Sequence, residues 1–263
     1  MKVGFIGYGN MGSIMVRSLL CSGALDPENV MVSNRSATRM SSLKEHYPAV
    51  EQTTDNTVVA RKSGLIFICV RSDQVDEVVR EILPSLDPLA HVVLINGGVS
   101  MAEIQQNYGL KISKVIPSVT MEVGRGVTLI CHGQVVEKGQ KELLENMFGS
   151  VGPVKVIVED CFDVGTYMTS CGPAFVAAFI EEFAEAAVRQ GSFSRDEARA
   201  MVTETVLATA ALMIERGKSS EEICHSVATR GGITEEGLKV LHRGLPSIFD
   251  EVVRVTLVKH EQS

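Results

Sequence analysis

A chain of 263 residues, 45% hydrophobic and 22% charged, has an ordinary globular composition, sufficient for one large domain or two of usual size. A net charge of −7 with no run of Lys or Arg offers no basic surface to nucleic acid or an anionic membrane, and no stretch is long enough to span a bilayer. The six cysteines, Cys21, Cys69, Cys131, Cys161, Cys171 and Cys224, are scattered without a CxxC, which reads as reduced thiols in the cytoplasm rather than bridges or a metal site.

The opening "MKVGFIGYGNMG" is a glycine-broken run too short for a secretory signal. Its "KVGFIG" begins a series of apolar, β-branched runs that continues with "NVMVSN" (29–34), "LIFICV" (65–70), "HVVLIN" (91–96) and "SKVIPS" (113–118). Between them lie amphipathic stretches such as "MGSIMVRSLLCSG" and "QVDEVVREILPSL", with apolar residues three and four apart. Strand–helix alternation with continuously apolar strands predicts a doubly wound parallel sheet covered on both faces, a Rossmann-type domain over residues 1–160. "VTLICHG" (127–133) and "VKVIVE" (154–159), flanking the helix "EKGQKELLENMFGSV", complete the sheet.

The first strand runs into Gly7-Tyr8-Gly9-Asn10-Met11-Gly12, a GxGxxG that opens a helix, and a second strand follows about 20 residues on. In this context Gly7 turns the chain, Gly9 lets a pyrophosphate approach the backbone, and Gly12 lets the helix lie close to the sheet. At the end of the second strand an NAD enzyme carries Asp or Glu for the ribose 2′-hydroxyl. This chain has Ser33-Asn34-Arg35-Ser36, with Arg39 one turn on, which are donors suited to a 2′-phosphate. NADPH is therefore expected, with NADH as the alternative cofactor.

Residues 161–263 predict an all-α domain. "GPAFVAAFIEEFAEAAVRQG" (172–191) reads as a helix with Gly-Pro in its first turn. Ser194 and Glu197 form a capping box for a helix ending at Gly217, and "SSEEICHSVATR" makes a short third. The two long helices carry more apolar surface than such a unit can hide, which predicts a homodimer through this half. Glu181, Glu182 and Glu185 share a helix face and read as solvated surface rather than a magnesium site, and His132 and His225 read as packed side chains. In "ATRGGITEEG" (228–237), two glycines precede a threonine and two acids at a helix start. Main-chain N–H groups there suit a carboxylate, and the Thr234 hydroxyl can donate to a heteroatom.

"GFIGYGNMG", "SNRS", "TDNTVVARKSGLIFICV", "KVIPSVT", "DVGTYMTSCGPAF" and "GGITEEGLKVL", in this order and spacing, resemble the pyrroline-5-carboxylate reductase family over nearly the whole chain. The resemblance implies hydride transfer from NAD(P)H to the cyclic imine 1-pyrroline-5-carboxylate, the last step of proline biosynthesis. It places Gly7, Gly9, Asn10, Met11 and Gly12 on the pyrophosphate, and Asn34, Arg35 and Ser36 on the 2′-phosphate. Asn56 then falls on the adenosine ribose, and Val70, Arg71, Asn96 and Gly97 on the nicotinamide side. Thr229, Gly231, Gly232 and Ile233 surround the imino acid, and Thr234 contacts its ring nitrogen. Dimers, and in the family larger rings of dimers, are the implied assembly, with no metal.

Several positions depart from the family pattern: Thr229-Arg230 for Ser-Pro, Cys171 for Ser, Arg71-Ser72 for Lys-Pro, Ser118 for Asn and Glu204 for Gln. "SCGPAF" with "GGITEEG" is similar to a paralogue encoded in late-competence operons of some Gram-positive bacteria. The alternative is thus an NADP(H)-binding paralogue with a different imine substrate or a regulatory, non-catalytic role. A β-hydroxyacid dehydrogenase would need a catalytic lysine early in the helical domain, and none occurs between Lys155 and Lys218.

Overall fold

The structure is a computed structural model that describes residues 1–96 and 98–261. Its strands are β1 (Val3–Ile6), β2 (Val30–Ser33), β3 (Glu51–Thr53), β4 (Leu65–Ile68), β5 (His91–Leu94), β6 (Lys111–Ile116), β7 (Thr128–His132) and β8 (Val154–Val156). They form one sheet in the order β3-β2-β1-β4-β5-β6-β7-β8. Every pairing is parallel except β6 with β7, where Ser113 lies opposite His132 and Ile116 opposite Leu129. The link between those two strands holds only a 3-10 segment, Val119–Val123, and a parallel return needs a longer crossover, usually a helix.

The helices are α1 (Asn10–Cys21), α2 (Ser41–His46), α3 (Asn56–Lys62), α4 (Val75–Ile82), α5 (Met101–Tyr108), α6 (Lys138–Gly149), α7 (Phe162–Thr166), α8 (Gly172–Val188), α9 (Arg195–Arg216), α10 (Ser220–Val227) and α11 (Ile233–Glu261). Strands β1, β2, β4 and β5 are buried at every position, as continuous apolar runs require. One face of the sheet carries Phe5, Met15, Leu19, Phe67 and Phe148; the other carries Ile6, Ile66, Val79, Ile82 and Phe162. Phe5 and Phe67 stack at 4.8 Å between ring centres, and Phe148 meets Phe67 edge-on at 6.0 Å. Each such side chain contributes about 2 kcal/mol by leaving water. Strand β3 has no apolar run to announce it: it is Glu-Gln-Thr, half-buried, at the sheet edge.

The chain divides into two compact units, residues 1–173 with the end of α11 from Lys259, and residues 174–258. The sequence predicts a helix beginning at Gly172-Pro173, but the chain is already helical from Phe162, and a π-helical turn at Tyr167–Cys171 leads into α8. Pro173 has no N–H to give, and its ring would crowd the carbonyl four residues back. The widened turn ahead of it absorbs both problems, so a Gly-Pro pair that resembles a helix start sits inside a helical run.

In the second unit, α9 opens on the reciprocal Ser194–Glu197 box and ends at Gly217 with φ +63°; α10 opens on a second box, Ser219 with Glu222. The acids of α8 are not simply solvated. Glu181 accepts from Arg199 at 2.9 and 3.2 Å, and Glu185 pairs with Arg195. Phe183, Leu207, Ile214 and Ile248 are all more than half exposed in the single chain. Among the described residues, no helix is long and apolar enough to cross a membrane.

Candidate active site

The strand order reverses between β1 and β4, and in such sheets a ligand crevice opens at the carboxyl ends of the strands beside that point. Here the chain leaves β1 through Gly7 at φ +101°, where a Cβ would lie 2.5 Å from the Cys69 carbonyl oxygen. A Cβ on Gly12 would lie 2.4 Å from the Gly7 oxygen, which is why α1 can start so close to the sheet. A Cβ on Gly9 would meet nothing within 4 Å. Gly9 is also the N-cap of α1, with no side chain on the cap and no acid in the first turn, so the first N–H groups of α1 remain for an anion from outside.

Two cavities meet at Gly9. The first, of about 400 Å³, is lined by Asn34, Arg35, Arg39 and Asn56. Asn34 Oδ1 accepts from the Tyr8 N–H at 3.1 Å, and Asn34 Nδ2 donates to the Ser36 carbonyl at 2.9 Å, so this side chain braces the loop from both ends. Arg35 and Arg39 are exposed and, among the described residues, paired with no carboxylate, which leaves two guanidinium groups for phosphate. Asn56 is held as firmly as Asn34: Ser33 Oγ donates to its Oδ1 at 2.7 Å, and its Nδ2 donates to Glu81 Oε2 at 2.8 Å. Asp55 caps α3 through the Thr57 N–H at 2.8 Å, and its bonds to Thr57 hold the carboxyl below its usual range.

The second cavity, of about 660 Å³, takes in Met11, Val70, Arg71 and Asn96. Asn96 Nδ2 donates to the Val70 carbonyl at 2.8 Å, while its Oδ1 is buried with no hydrogen-bond partner. A buried acceptor left unmet costs about 1–3 kcal/mol, so Asn96 suits a ligand carrying an amide N–H. Arg71 forms a two-pronged pair with Asp73, at 3.1 and 2.5 Å. Gly97 lies outside the described residues. Thr166 and Ser170, four apart on the helical run entering α8, also line this cavity; their spacing was the one signal that could have marked them. Cys69 lies beneath it with its thiol pushed up by burial, a packing side chain rather than a nucleophile. Among the described lining residues there is no carboxylate, imidazole or amine, so this cavity offers hydroxyls, amides and guanidinium groups rather than an acid–base pair.

In the second unit Gly231 adopts φ +71°, and a Cβ on Gly232 would lie 2.3 Å from Thr229 Oγ1. The loop therefore needs both glycines, but their N–H groups are not both free as the sequence implies. Gly232 N–H donates to the Thr229 carbonyl at 2.8 Å, and Gly231 N–H donates to Glu235 Oε2 at 2.6 Å. The N–H groups that open α11, those of Ile233 and Thr234, lie beyond this turn, and helix starts leave such groups without intrahelical acceptors. Thr234 is half-buried, and the Ile233 side chain is 94% exposed.

The family model for pyrroline-5-carboxylate reductase dimerisation matches residues 159–263, and one described as NADP oxidoreductase, coenzyme F420-dependent, matches residues 2–100. The chain is 35% identical to pyrroline-5-carboxylate reductase 3 of Bacillus subtilis, covering 99% of this chain and 96% of the relative. It is 29% identical to ComE operon protein 4 of the same organism, covering 100% and 96%. The solved pyrroline-5-carboxylate reductase of Coxiella burnetii superimposes with a TM-score of 0.90 at 28% identity, covering 99% of this chain and 97% of that one.

Proposed function

The chain belongs to the pyrroline-5-carboxylate reductase family, and we propose that it reduces the imine of 1-pyrroline-5-carboxylate to proline with NADPH. Gly7, Gly9, Asn10, Met11 and Gly12 hold the pyrophosphate. Asn34, braced against Tyr8, presents Arg35 and Ser36 to the 2′-phosphate, with Arg39 beside them. Asn56 takes the adenosine ribose, and Val70, Arg71, Asn96 and Gly97 take the nicotinamide side. The unmet Asn96 Oδ1 supports this fit, since a carboxamide would supply the donor it lacks. When bound, the reduced nicotinamide supplies the hydride.

The loop from Thr229 to Ile233 orients the substrate by its carboxylate, through main-chain N–H groups at the start of α11. As the ring nitrogen gains basicity on reduction, the Thr234 hydroxyl stabilises it, and no strong acid is required. What carries this reading is a cradle left open at Gly9 in a chain whose Gly231 N–H already holds a carboxylate, that of Glu235. The protein works as a homodimer through its helical half, in the family also as rings of dimers, and in the cytoplasm. The exposed apolar side chains of α8, α9 and α11 support the dimer.

A second reading, a paralogue that binds NADPH but acts on another imine or on none, draws on the likeness to ComE operon protein 4. Replacing Thr234 by Ala separates them. For the reductase, turnover of pyrroline-5-carboxylate falls about a hundredfold with NADPH affinity unchanged. For the paralogue, NADPH binds and neither protein turns this substrate over.

A further inference from the structure

The loop assigned to the substrate carboxylate carries a carboxylate of its own. Glu235 reaches back one turn from α11, and its Oε2 accepts from the Gly231 N–H at 2.6 Å. An acid at the third position of a helix commonly caps the turn before it, so the contact has a structural use. Its surroundings give it a further consequence. The neighbouring acid Glu236 is neutralised by Lys239 at 2.7 Å, whereas Glu235 has no cation partner among the described residues. Gly232 N–H is committed to Thr229, and the tight space over Gly232 fixes that turn. A carboxylate arriving from outside therefore meets an unneutralised negative charge already bonded to part of its cradle.

We propose that Glu235 is a tethered competitor for the substrate carboxylate, and that it sets the affinity of this chain for carboxylate-bearing cyclic imines. The inference rests on the assignment of the 229–234 loop to that carboxylate. An imine with a carboxylate has to displace Glu235 or sit beside its charge, and both raise KM. An imine without a carboxylate does neither. Glu235 takes no part in the transfer itself and acts only on binding.

The test uses the full-length protein with NADPH and two substrates, 1-pyrroline-5-carboxylate and the carboxylate-free 1-pyrroline. Three proteins are compared: the wild type, Glu235→Gln and Glu235→Ala. Gln retains an acceptor for the Gly231 N–H, so it preserves the cap while removing the charge, and it answers the question if the Ala protein does not fold. The expected result is a KM for pyrroline-5-carboxylate about fivefold lower in the Gln protein, with kcat within about twofold and the KM for 1-pyrroline unchanged. Wild-type turnover with an unchanged KM in the variants overturns the role of Glu235 and leaves the reductase assignment standing. An equal fall in KM for both substrates also overturns it, since a competitor for the carboxylate cannot act on a substrate that lacks one. No turnover of pyrroline-5-carboxylate by any of the three overturns the reductase assignment and this inference together.

Discussion

The Tyr8 N–H donates to Asn34 Oδ1 at 3.1 Å, so the glycine-rich turn after β1 and the loop after β2 form one hydrogen-bonded unit. Replacing Asn34 by Asp keeps the acceptor for Tyr8 but removes the donor to the Ser36 carbonyl and sets a negative charge beside the place proposed for the 2′-phosphate. Loss of that hydrogen bond combined with like-charge repulsion is worth about 2–3 kcal/mol, or roughly a hundredfold. The expected outcome is a fall of that size in kcat/KM for NADPH with little change for NADH, read from steady-state rates with each cofactor.

Gly9 and Gly12 belong to one motif but answer to different constraints. A methyl at Gly9 meets no protein atom within 4 Å, and the residue's φ of −86° is one that Ala adopts freely. Gly9→Ala is therefore expected to leave Tm unchanged and, on the proposed placing of the pyrophosphate over Gly9, to weaken NADPH binding at least about tenfold. Gly12→Ala drives a Cβ to 2.4 Å from a backbone oxygen and should cost about 2 kcal/mol of stability. Thermal unfolding and cofactor titration of the two proteins separate the effects.

At the opposite ends of the strands a buried polar chain links β5, β6, β7 and α6. His91 Nε2 lies 2.8 Å from Ser113 Oγ, Ser113 Oγ lies 2.8 Å from His132 Nδ1, and His132 Nε2 lies 3.2 Å from Glu145 Oε1. Because the Glu145 carboxylate can only accept, a neutral His132 donates from Nε2 and accepts the Ser113 hydroxyl at Nδ1, which leaves Ser113 Oγ to accept from His91 Nε2. Burial above all, then the charges of His132 and Lys111, push the His91 imidazole from 6.5 down to about 4. Burial lowers His132 as well, against the pull of Glu145. Between pH 6.5 and about 4 the unfolded chain binds a proton at His91 that the folded chain refuses. Stability thus falls as pH drops through that window and is unaffected by this group above it. The loss from pH 7 to pH 5 is about 2 kcal/mol for His91, and denaturant unfolding at the two pH values measures it. His91→Gln, which retains a donor for Ser113, should remove the His91 share of the dependence and leave the part that His132 contributes.

Seven of the eight strands were legible as short apolar or β-branched runs: burial on both faces demands such runs in β1, β2, β4 and β5, as in "LIFICV" and "HVVLIN", while the largely exposed edge strand β8 shows one in "VKVIVE" without that cause. Strand β3 was not, since an edge triplet of Glu51, Gln52 and Thr53 is held by main-chain bonds to β2 and needs no apolar side chain. Nor was the reversed direction of β7, which its "TLICH" run shares with any parallel strand. Pro173 misplaced a helix start because a π-helical turn, which leaves no mark in sequence, lets proline sit past the first turn. At the candidate site the glycine cradle and the Arg35 loop followed from residue types alone. The clasp of Asn34 on Tyr8, the unmet Asn96 Oδ1 and the reach of Glu235 to Gly231 depend on side-chain placement, and no spacing encodes that.

The most direct measurement is the stoichiometry of the reaction itself, with purified protein, 1-pyrroline-5-carboxylate and NADPH, and with oxidised cofactor and proline quantified together. A proline-forming reductase yields one proline for each NADPH consumed, with NADH a poorer donor. A protein that binds NADPH tightly yet neither consumes it nor forms proline would contradict the assignment, whatever the likeness of its sequence.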